Sequence, residues 1–158
     1  MYLNEQLSFE KKIPFGSGSD EARAVAIADF DSDGYLDIVT ANIKGINYIY
    51  YGDQALTYQR AQALGDLKER SFSVTAEDLD QDGRPDIVFG NSGEVNSLYW
   101  NEKEGFKRET LSQQEWQTYD VTCVDTNGDG YPEILEANSD AFNVFYRNLV
   151  PRKKGPKK

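Results

Sequence analysis

The sequence predicts an all-β protein made of propeller blades, with three four-stranded blades forming half of a ring. Two observations support this prediction. One acidic segment recurs three times, with its first aspartates spaced by 49 and then 47 residues. Between the copies lie short stretches with strand character, bounded by glycine, asparagine and aspartate, without a sustained helical period. A period of about 40 to 50 residues rich in short strands is typical of one blade per repeat.

The acidic segments span residues 29–37, 78–86 and 125–133. Each has oxygen-bearing side chains at positions 1, 3, 5 and 9 and a glycine at position 6, and each runs into an apolar pair. Carboxylates packed this closely repel one another unless a cation lies between them. A hard cation with about six to eight oxygen ligands suits such loops, and calcium fits best.

We therefore expect three calcium ions per chain. The residue at position 7 of each loop is expected to contribute its backbone carbonyl oxygen, and the other ligands are side chains. Because Asn127 carries no charge, the third site should be the weakest. The predicted ligands are Asp29, Asp31, Asp33, Tyr35 and Asp37; Asp78, Asp80, Asp82, Arg84 and Asp86; and Asp125, Asn127, Asp129, Tyr131 and Glu133.

The strands follow the same repeat. In each blade a first strand precedes the acidic loop, a second follows it, a third is aromatic and a fourth is more polar. The predicted first strands are 24–28, 72–76 and 119–124, the second 37–41, 86–90 and 133–137, the third 46–51, 96–100 and 142–146, and the fourth 56–61 and 105–110. Two further sets of residues recur at nearly the same spacing as the acidic segments. They are Asn42, Asn91 and Asn138 at the ends of the second strands, and Phe9, Tyr58 and Phe106 at the starts of the fourth strands.

The blades are shifted along the chain by one strand. Residues 9–13 match the fourth strand of a blade whose other strands are missing, and the third repeat stops after its third strand. We expect a three-blade unit over residues 8–148, an N-terminal lead over 1–7 and a disordered basic tail over 149–158. Since closed propellers have about four to eight blades, we expect a homodimer with a six-bladed ring, joined through blade faces and the exchanged N-terminal strand.

At this point the chain resembles a known family. The loop pattern D-x-[DN]-x-D-G-x-x-[DE]-I-[VL], with the downstream run from Asn91 to Phe106, is similar to the calcium loops of FG-GAP/VCBS repeats. That family includes the propeller heads of integrin α chains and many bacterial surface and secreted proteins. The resemblance covers roughly residues 8 to 148 and implies calcium-binding propeller blades. Asn127 and Glu133 depart from the aspartates of the family pattern.

The third loop also fits the spacing of an EF-hand, with Glu136 at position 12. The other two loops have Thr40 and Phe89 at that position. An EF-hand requires a helix on each side of the loop, whereas these flanks have strand character. We therefore favour propeller loops.

Composition limits the classes of partner. The net charge is −10, and three bound calcium ions would add +6 and bring it to about −4, so the net acidity is mostly that of metal sites. This charge argues against nucleic-acid binding, which needs a basic face. The single cysteine, Cys123, is expected to be a buried thiol, and no signal peptide or membrane span is recognised.

Catalysis is not expected, because the sequence has no histidine and its paired carboxylates are assigned to the cation. We expect a non-catalytic calcium-binding scaffold for binding or assembly. The first alternative is a fragment of a larger extracellular adhesin or integrin-like head that binds glycan or protein. The second is a propeller enzyme acting on polysaccharide. An extracellular or cell-surface location is expected, and a recombinant or designed origin stays open.

Overall fold

The computed structural model of the protein describes residues 2–5 and 8–149, and all regular structure in them is β-strand. The described residues contain no helix that could span a membrane. Most of the predicted basic tail, residues 150–158, lies outside the described residues. The strands are β1 Tyr2–Glu5, β2 Ser8–Lys12, β3 Ala22–Ala28, β4 Asp37–Gly45, β5 Tyr48–Tyr51, β6 Arg60–Ala63, β7 Glu69–Glu77, β8 Asp86–Asn91, β9 Ser97–Glu102, β10 Gly105–Thr110, β11 Gln117–Val124, β12 Glu133–Ser139 and β13 Val144–Tyr146.

The strands form three consecutive blades of antiparallel pairs, as the repeat predicts. The first blade is β3-β4-β5-β6 and the second is β7-β8-β9-β10. The third is β11-β12-β13, and no fourth strand joins it among the described residues. The all-β, propeller-like prediction is therefore confirmed at the level of the blades.

Neighbouring blades are linked where a second strand runs beyond its own blade. After pairing with β3, strand β4 continues so that Ile43 and Gly45 pair with Arg70 and Glu69 at the start of β7. The first two blades therefore share one eight-stranded sheet. At the equivalent place between the second and third blades, Ser92 forms a single bridge with Gln117.

Apolar side chains fill the two spaces between blades. The first cluster joins Val39 and Ile49 of the first blade to Ile87 and Phe89 of the second. The next joins Val88 on the other face of the second blade to residues of the third, such as Val121 and Ile134. Burial of both faces explains why Ser71 and Ser73, which alternate with apolar residues in β7, are also buried.

The predicted fourth strand of the first blade, 56–61, is wrong at its start. The N–H groups of Leu56 and Thr57 bond to the carbonyl and the side chain of Asp53, at 2.9 and 3.0 Å, and so form a turn. Leu56 and Tyr58 also adopt positive φ angles of 56° and 51°, which a strand ladder does not accept. The strand therefore begins only at Arg60, and Tyr58 does not open it.

Other boundaries also differ from prediction. Strand β4 continues three residues beyond Asn42, because those residues pair with β7. The third strand of the last blade starts at Val144, since Asn138 binds Asn143 and the Phe142 carbonyl and holds the preceding residues in a turn. In the segment assigned as an N-terminal lead, Tyr2–Glu5 form β1, which pairs with the expected N-terminal strand, β2.

The backbone of Leu36 passes very close to Gly52, so we predict that a side chain at position 52 destabilises the fold. A Cβ atom at Gly52 would lie 2.3 Å from the Leu36 carbonyl oxygen, so the first acidic loop or the end of β5 must shift. Gly52→Ala should destabilise the fold by about 2 kcal/mol or more. The measurement is urea unfolding, with exposed Gln54→Ala as the control that should stay within about 0.5 kcal/mol of wild type. An unchanged midpoint for Gly52→Ala would contradict the close packing of loop and strand.

Candidate metal centres

Each acidic loop connects the first and second strands of its blade, so that the three loops occupy equivalent places. Residues 29–37 follow β3, residues 78–86 follow β7 and residues 125–133 follow β11. A strand fixes the chain at both ends of each loop, so that short-range hydrogen bonds decide the course of the loop between them. The three loops share these hydrogen bonds.

The first aspartate organises the loop around its carboxylate. Asp29 accepts the backbone N–H groups of positions 5 and 6, Asp33 and Gly34, at 3.1 and 3.0 Å. Asp78 accepts those of its own loop at 3.1 and 2.9 Å, and Asp125 at 3.2 and 2.8 Å. These bonds wrap the backbone of each loop around one carboxylate.

Glycine at position 6 permits this wrapping. Gly34, Gly83 and Gly130 have φ angles of 89°, 89° and 91°, in the left-handed region that residues with a side chain rarely adopt. The repeated glycine is therefore a requirement of the loop backbone.

The acid at position 9 is buried and fastens the loop to the blade. Asp37 is 0 % exposed and accepts N–H bonds from Phe30 and Gly52, both at 2.8 Å. Asp86 accepts equivalent bonds from Leu79 and Asn101, at 3.0 and 2.8 Å. One carboxylate therefore ties position 2 of its loop to the end of the third strand.

In the third loop Glu133 takes this place and is also 0 % exposed. It accepts the Thr126 N–H at 2.9 Å, and its other oxygen accepts the side-chain amide of Asn127 at 2.6 Å. The longer glutamate thus reaches the side chain at position 3 of its own loop.

Burial shifts the pKa of two of these acids, Asp37 and Asp86. It raises the pKa of Asp37, and it raises the pKa of Asp86 to about 6, with the neighbouring Asp80 and Asp82 adding to the increase. By contrast, hydrogen bonds from backbone N–H groups, that of Gly130 first, lower the pKa of Asp125. A bound cation would favour the ionised form of the buried acids.

Two of the loops bring three carboxylates together. Oxygens of Asp29, Asp31 and Asp37 all lie within 4.8 Å of one another in the first loop. In the second loop the trio is Asp78, Asp80 and Asp82, within the same distance. Such sets of carboxylate oxygens could hold a metal ion, and their chemistry fits a hard cation such as calcium.

The remaining predicted ligands stand apart from these trios. Asp33 and Asp86 belong to the predicted sets but not to the trios. In the third loop, all of which is described, Asp125, Asp129 and Glu133 form no such trio. The backbone carbonyl oxygens of Tyr35, Arg84 and Tyr131 stay predicted ligands.

Two arginine side chains beside the loops form ion pairs that were not expected from the sequence. Arg60 pairs with Asp31 and stacks on the Tyr51 ring, with its guanidinium carbon 3.7 Å from the ring centroid. Arg84 pairs with Asp82 in its own loop. Each places a positive charge on a predicted ligand, which offsets part of the repulsion between carboxylates. Arg60 is 29 residues from Asp31 in the sequence, so no local sequence pattern predicts this ion pair.

Asparagine pairs form a second repeated element, of which only Asn42, Asn91 and Asn138 were predicted from the sequence. Asn42 donates its backbone N–H to the side-chain oxygen of Asn47 at 2.8 Å. This bond closes the turn between the second and third strands. The Asn47 amide then donates to Ser71 of the next blade, at 2.8 Å. Asn91 and Asn96 repeat the arrangement, and Asn96 donates to Thr118 at 2.9 Å.

The third pair is Asn138 and Asn143, whose turn-closing bond is 2.9 Å. The signal for the second asparagine of each pair was present in the sequence, since Asn47, Asn96 and Asn143 recur at the same steps of 49 and 47 residues as the acidic loops. Asn47 and Asn96 join one blade to the next.

Comparison with known proteins agrees with the repeat. A family model described as FG-GAP-like repeat matches residues 29–89 and 78–136, and each match begins at the first aspartate of a loop. No curated protein matches the chain significantly.

The buried acids predict an unusual pH dependence without metal. The pKa of Asp86 is about 6 in the folded protein, against about 3.9 when unfolded. The Asp86 carboxyl therefore keeps its proton to higher pH in the folded state than in the unfolded state. The stability that this proton binding contributes is lost as pH rises from about 4 to about 6. In EDTA, the melting temperature should fall between about pH 4 and about pH 6, and less so in Asp86→Asn.

Asp140→Asn, in an exposed turn outside the loops, is the matched control and should keep the wild-type slope. A melting temperature in EDTA that rises over this range in both variants and wild type would contradict the assignment of a destabilising buried carboxylate.

Proposed function

The chain belongs to the FG-GAP-like repeat family, and we propose that it is a calcium-binding β-propeller module. In this proposal the module is a non-catalytic scaffold for binding or assembly, and it associates with a second copy of itself. The observation that carries the calcium proposal is the convergence of three carboxylates within 4.8 Å in each of two equivalent loops. Without a cation, these charges destabilise the loop that the fold builds around them.

One calcium ion per loop, three per chain, is the proposed complement. The acids that would hold it are those at positions 1, 3, 5 and 9, with Asn127 in place of one acid in the third loop. The bound ion would supply charge neutralisation and a rigid link between loop and blade. Asp29 and Asp78 carry the strongest support, since both hold their loops closed and belong to a trio.

A binding role is favoured over catalysis by the residue types available. The sequence contains no histidine, and the clustered carboxylates serve the proposed cation. An extracellular or cell-surface location is proposed, where calcium at about millimolar concentration would load sites of modest affinity. Turnover of a polysaccharide by the purified protein would instead favour the enzyme alternative.

Self-association is supported by apolar residues exposed at both ends of the blade stack. We call the side of a blade toward the preceding blade its leading face, and the opposite side its trailing face. The leading face of the first blade exposes Val25 and Ile27, at 52 % and 58 %. The trailing face of the third blade exposes Phe145 at 50 % and contains a cleft of about 350 Å³ lined also by Leu135 and Ala137.

Equivalent residues inside the stack show what these faces would contact. Val74, equivalent to Val25, and Leu98, equivalent to Phe145, are 8 % and 6 % exposed because a neighbouring blade covers them. Faces of the same kind would be covered if the third blade of one copy packed on the first blade of another.

The segment after β2 supports the same pairing. Leu64 follows β6, and its N–H bonds to the Asn47 carbonyl at 2.9 Å; Leu111 follows β10 and bonds equally to Asn96 at 2.9 Å. By the repeat, Phe15 is equivalent to Leu64, and Asn143 to Asn47. The Phe15 ring packs on Tyr50 with centroids 5.5 Å apart, so it already lies against the first blade.

We therefore propose that the Phe15 N–H of one copy bonds to the Asn143 carbonyl of the other. Strand β2 would then become the fourth strand of the partner's third blade. In the described sheets β2 pairs with β1 and β13 pairs with β12, so that each strand retains one further edge for such pairing. Two such junctions close a six-bladed ring. In the rival proposal, the remaining blades of a larger adhesin or integrin-like head would cover both faces.

Calcium is expected to stabilise the fold strongly. A ligand bound only by the folded state adds about 2.7 kcal/mol per site at a hundredfold excess over its Kd. EDTA should therefore lower the melting temperature by several degrees, measured by circular dichroism. Asp80→Ala should reduce this calcium-dependent increase more than Asn127→Ala, because Asp80 supplies a charge and belongs to a trio. An identical melt with and without calcium would refute the metal proposal.

Two copies should form one particle in calcium. Native mass spectrometry at micromolar concentration is expected to give twice the chain mass of 17.9 kDa. Phe145→Asp should shift the protein to monomer by placing a charge on the trailing face, whereas Leu67→Asp, on an exposed loop residue, should leave the dimer intact. A soluble, cooperatively folded wild-type monomer would overturn the dimer and favour the rival with further blades.

A further inference from the structure

A cleft of about 520 Å³ lies on the first blade, away from the acidic loops. Aromatic rings form its walls, and one carboxylate lies among them. Its lining includes Phe15, Asp20, Tyr48, Tyr50, Tyr58 and Ala61. The Tyr50 hydroxyl donates to Asp20 at 3.4 Å, and the Ser17 hydroxyl donates to the same oxygen at 2.7 Å.

The second blade shows what occupies the equivalent place there. Arg108 on β10 lies beside Tyr99, and its guanidinium donates two hydrogen bonds to Glu69 Oε1, at 3.0 and 2.7 Å. Glu69 is 4 % exposed and also accepts the Ser97 hydroxyl at 3.1 Å. An arginine thus fills the space between a tyrosine ring and a carboxylate.

Strand register establishes that the two places correspond. Arg108 pairs with Tyr99 across the third and fourth strands, and Ala61 pairs with Tyr50 in the same way. Glu69 lies two residues before Ser71, which pairs with Asn91. Asp20 lies two residues before Ala22, which pairs with Asn42. The first blade therefore keeps the tyrosine and the acid but has alanine where the second blade has arginine.

The groups left in the first blade match the chemistry of a guanidinium. This cation is planar and weakly hydrated, so it stacks on aromatic rings and donates paired hydrogen bonds to a carboxylate. An ammonium group is compact and strongly hydrated, and fits flat aromatic walls less well. The volume of the cleft lies within the range of about 300–1,000 Å³ that is common for ligand sites.

We propose that this cleft binds an arginine side chain presented by a peptide or protein partner, with its guanidinium held by Asp20 and stacked against the tyrosines. The inference adds a ligand class to the proposed scaffold role and rests on that role for its biological sense. The cleft lies on the leading face of the first blade, which the proposed dimer would cover, but Arg108 at the equivalent place in the second blade keeps 27 % of its side chain exposed at the sheet edge formed by β10. An arginine can therefore reach Asp20 from this outer edge in a closed ring as well as in a single copy. A failure of calcium binding or of ring closure would leave the inference standing.

Binding can be measured directly with N-acetyl-arginine amide, titrated by calorimetry into the full chain in millimolar calcium. We expect saturable binding, with N-acetyl-citrulline amide, the uncharged analogue, at least tenfold weaker. Asp20→Asn should weaken binding at least tenfold, because it removes the charge opposite the guanidinium. Ala61→Arg should abolish binding, because the chain then fills the cleft as Arg108 does in the second blade. Both positions are exposed, so both variants are expected to fold, as circular dichroism would verify.

The second blade supplies a gain-of-function test. Arg108→Ala should open the equivalent cleft at Glu69, so that the variant binds a second equivalent of the probe and its melting temperature rises when methylguanidinium is added. If this variant does not fold, the Asp20 and Ala61 variants still decide the proposal. The peptide acetyl-Gly-Arg-Gly-amide should bind wild type at least as tightly as blocked arginine.

Two results would overturn the proposal. One is the absence of saturable binding to wild type. The other is binding that Asp20→Asn and Ala61→Arg leave unchanged, which would place the probe elsewhere. Binding of blocked arginine without binding of the peptide would exclude a peptide partner. A normal calcium-dependent melt in the same sample keeps each of these failures separate from a failure of the metal sites.

Discussion

The buried carboxylate at position 9 of each acidic loop is the interaction on which the blades depend. Asp37 and Asp86 each accept one N–H from their own loop and one from the end of the third strand. A buried charge of this kind is costly unless it is hydrogen-bonded or paired with a cation. The same group therefore closes the loop, fixes the third strand against the second and makes the loop a place where a cation is favourable. In the first loop, Asp37 therefore serves both the fold and the proposed metal site.

Repetition turns this local unit into an extended stack. Each blade presents a face to the next, and the asparagine pairs supply the polar part of each junction, as when Asn47 donates to Ser71 and Asn96 to Thr118. An internal blade is covered twice, which explains why serines of β7 are as buried as its valine. In a linear stack the end faces keep the apolar character of internal ones, so they favour contact with another surface of the same kind.

The sequence was informative where a feature is local and repeated. Aspartate and glycine spacing sets the course of each loop, so the loops and the blade order could be predicted from residues close in the chain. The start of β6 could not, because Leu56 and Tyr58 adopt positive φ without being glycine, and only the turn around Asp53 explains it. Contacts such as Arg108 with Glu69 join residues 39 apart, and no periodicity specifies them.

Differences between copies of a repeat are more informative about function than their similarities. Residues shared by all three blades, such as the position-6 glycine, are explained by the needs of the blade itself. A departure at an equivalent place changes what that place can do. Where the second blade has Arg108 against Glu69, the first has Ala61 and leaves Asp20 beside Tyr50 in a cleft. The second blade satisfies its acid from within the chain, whereas the first leaves a complementary cation to be supplied from outside, so the two blades can share a backbone and differ in what they bind.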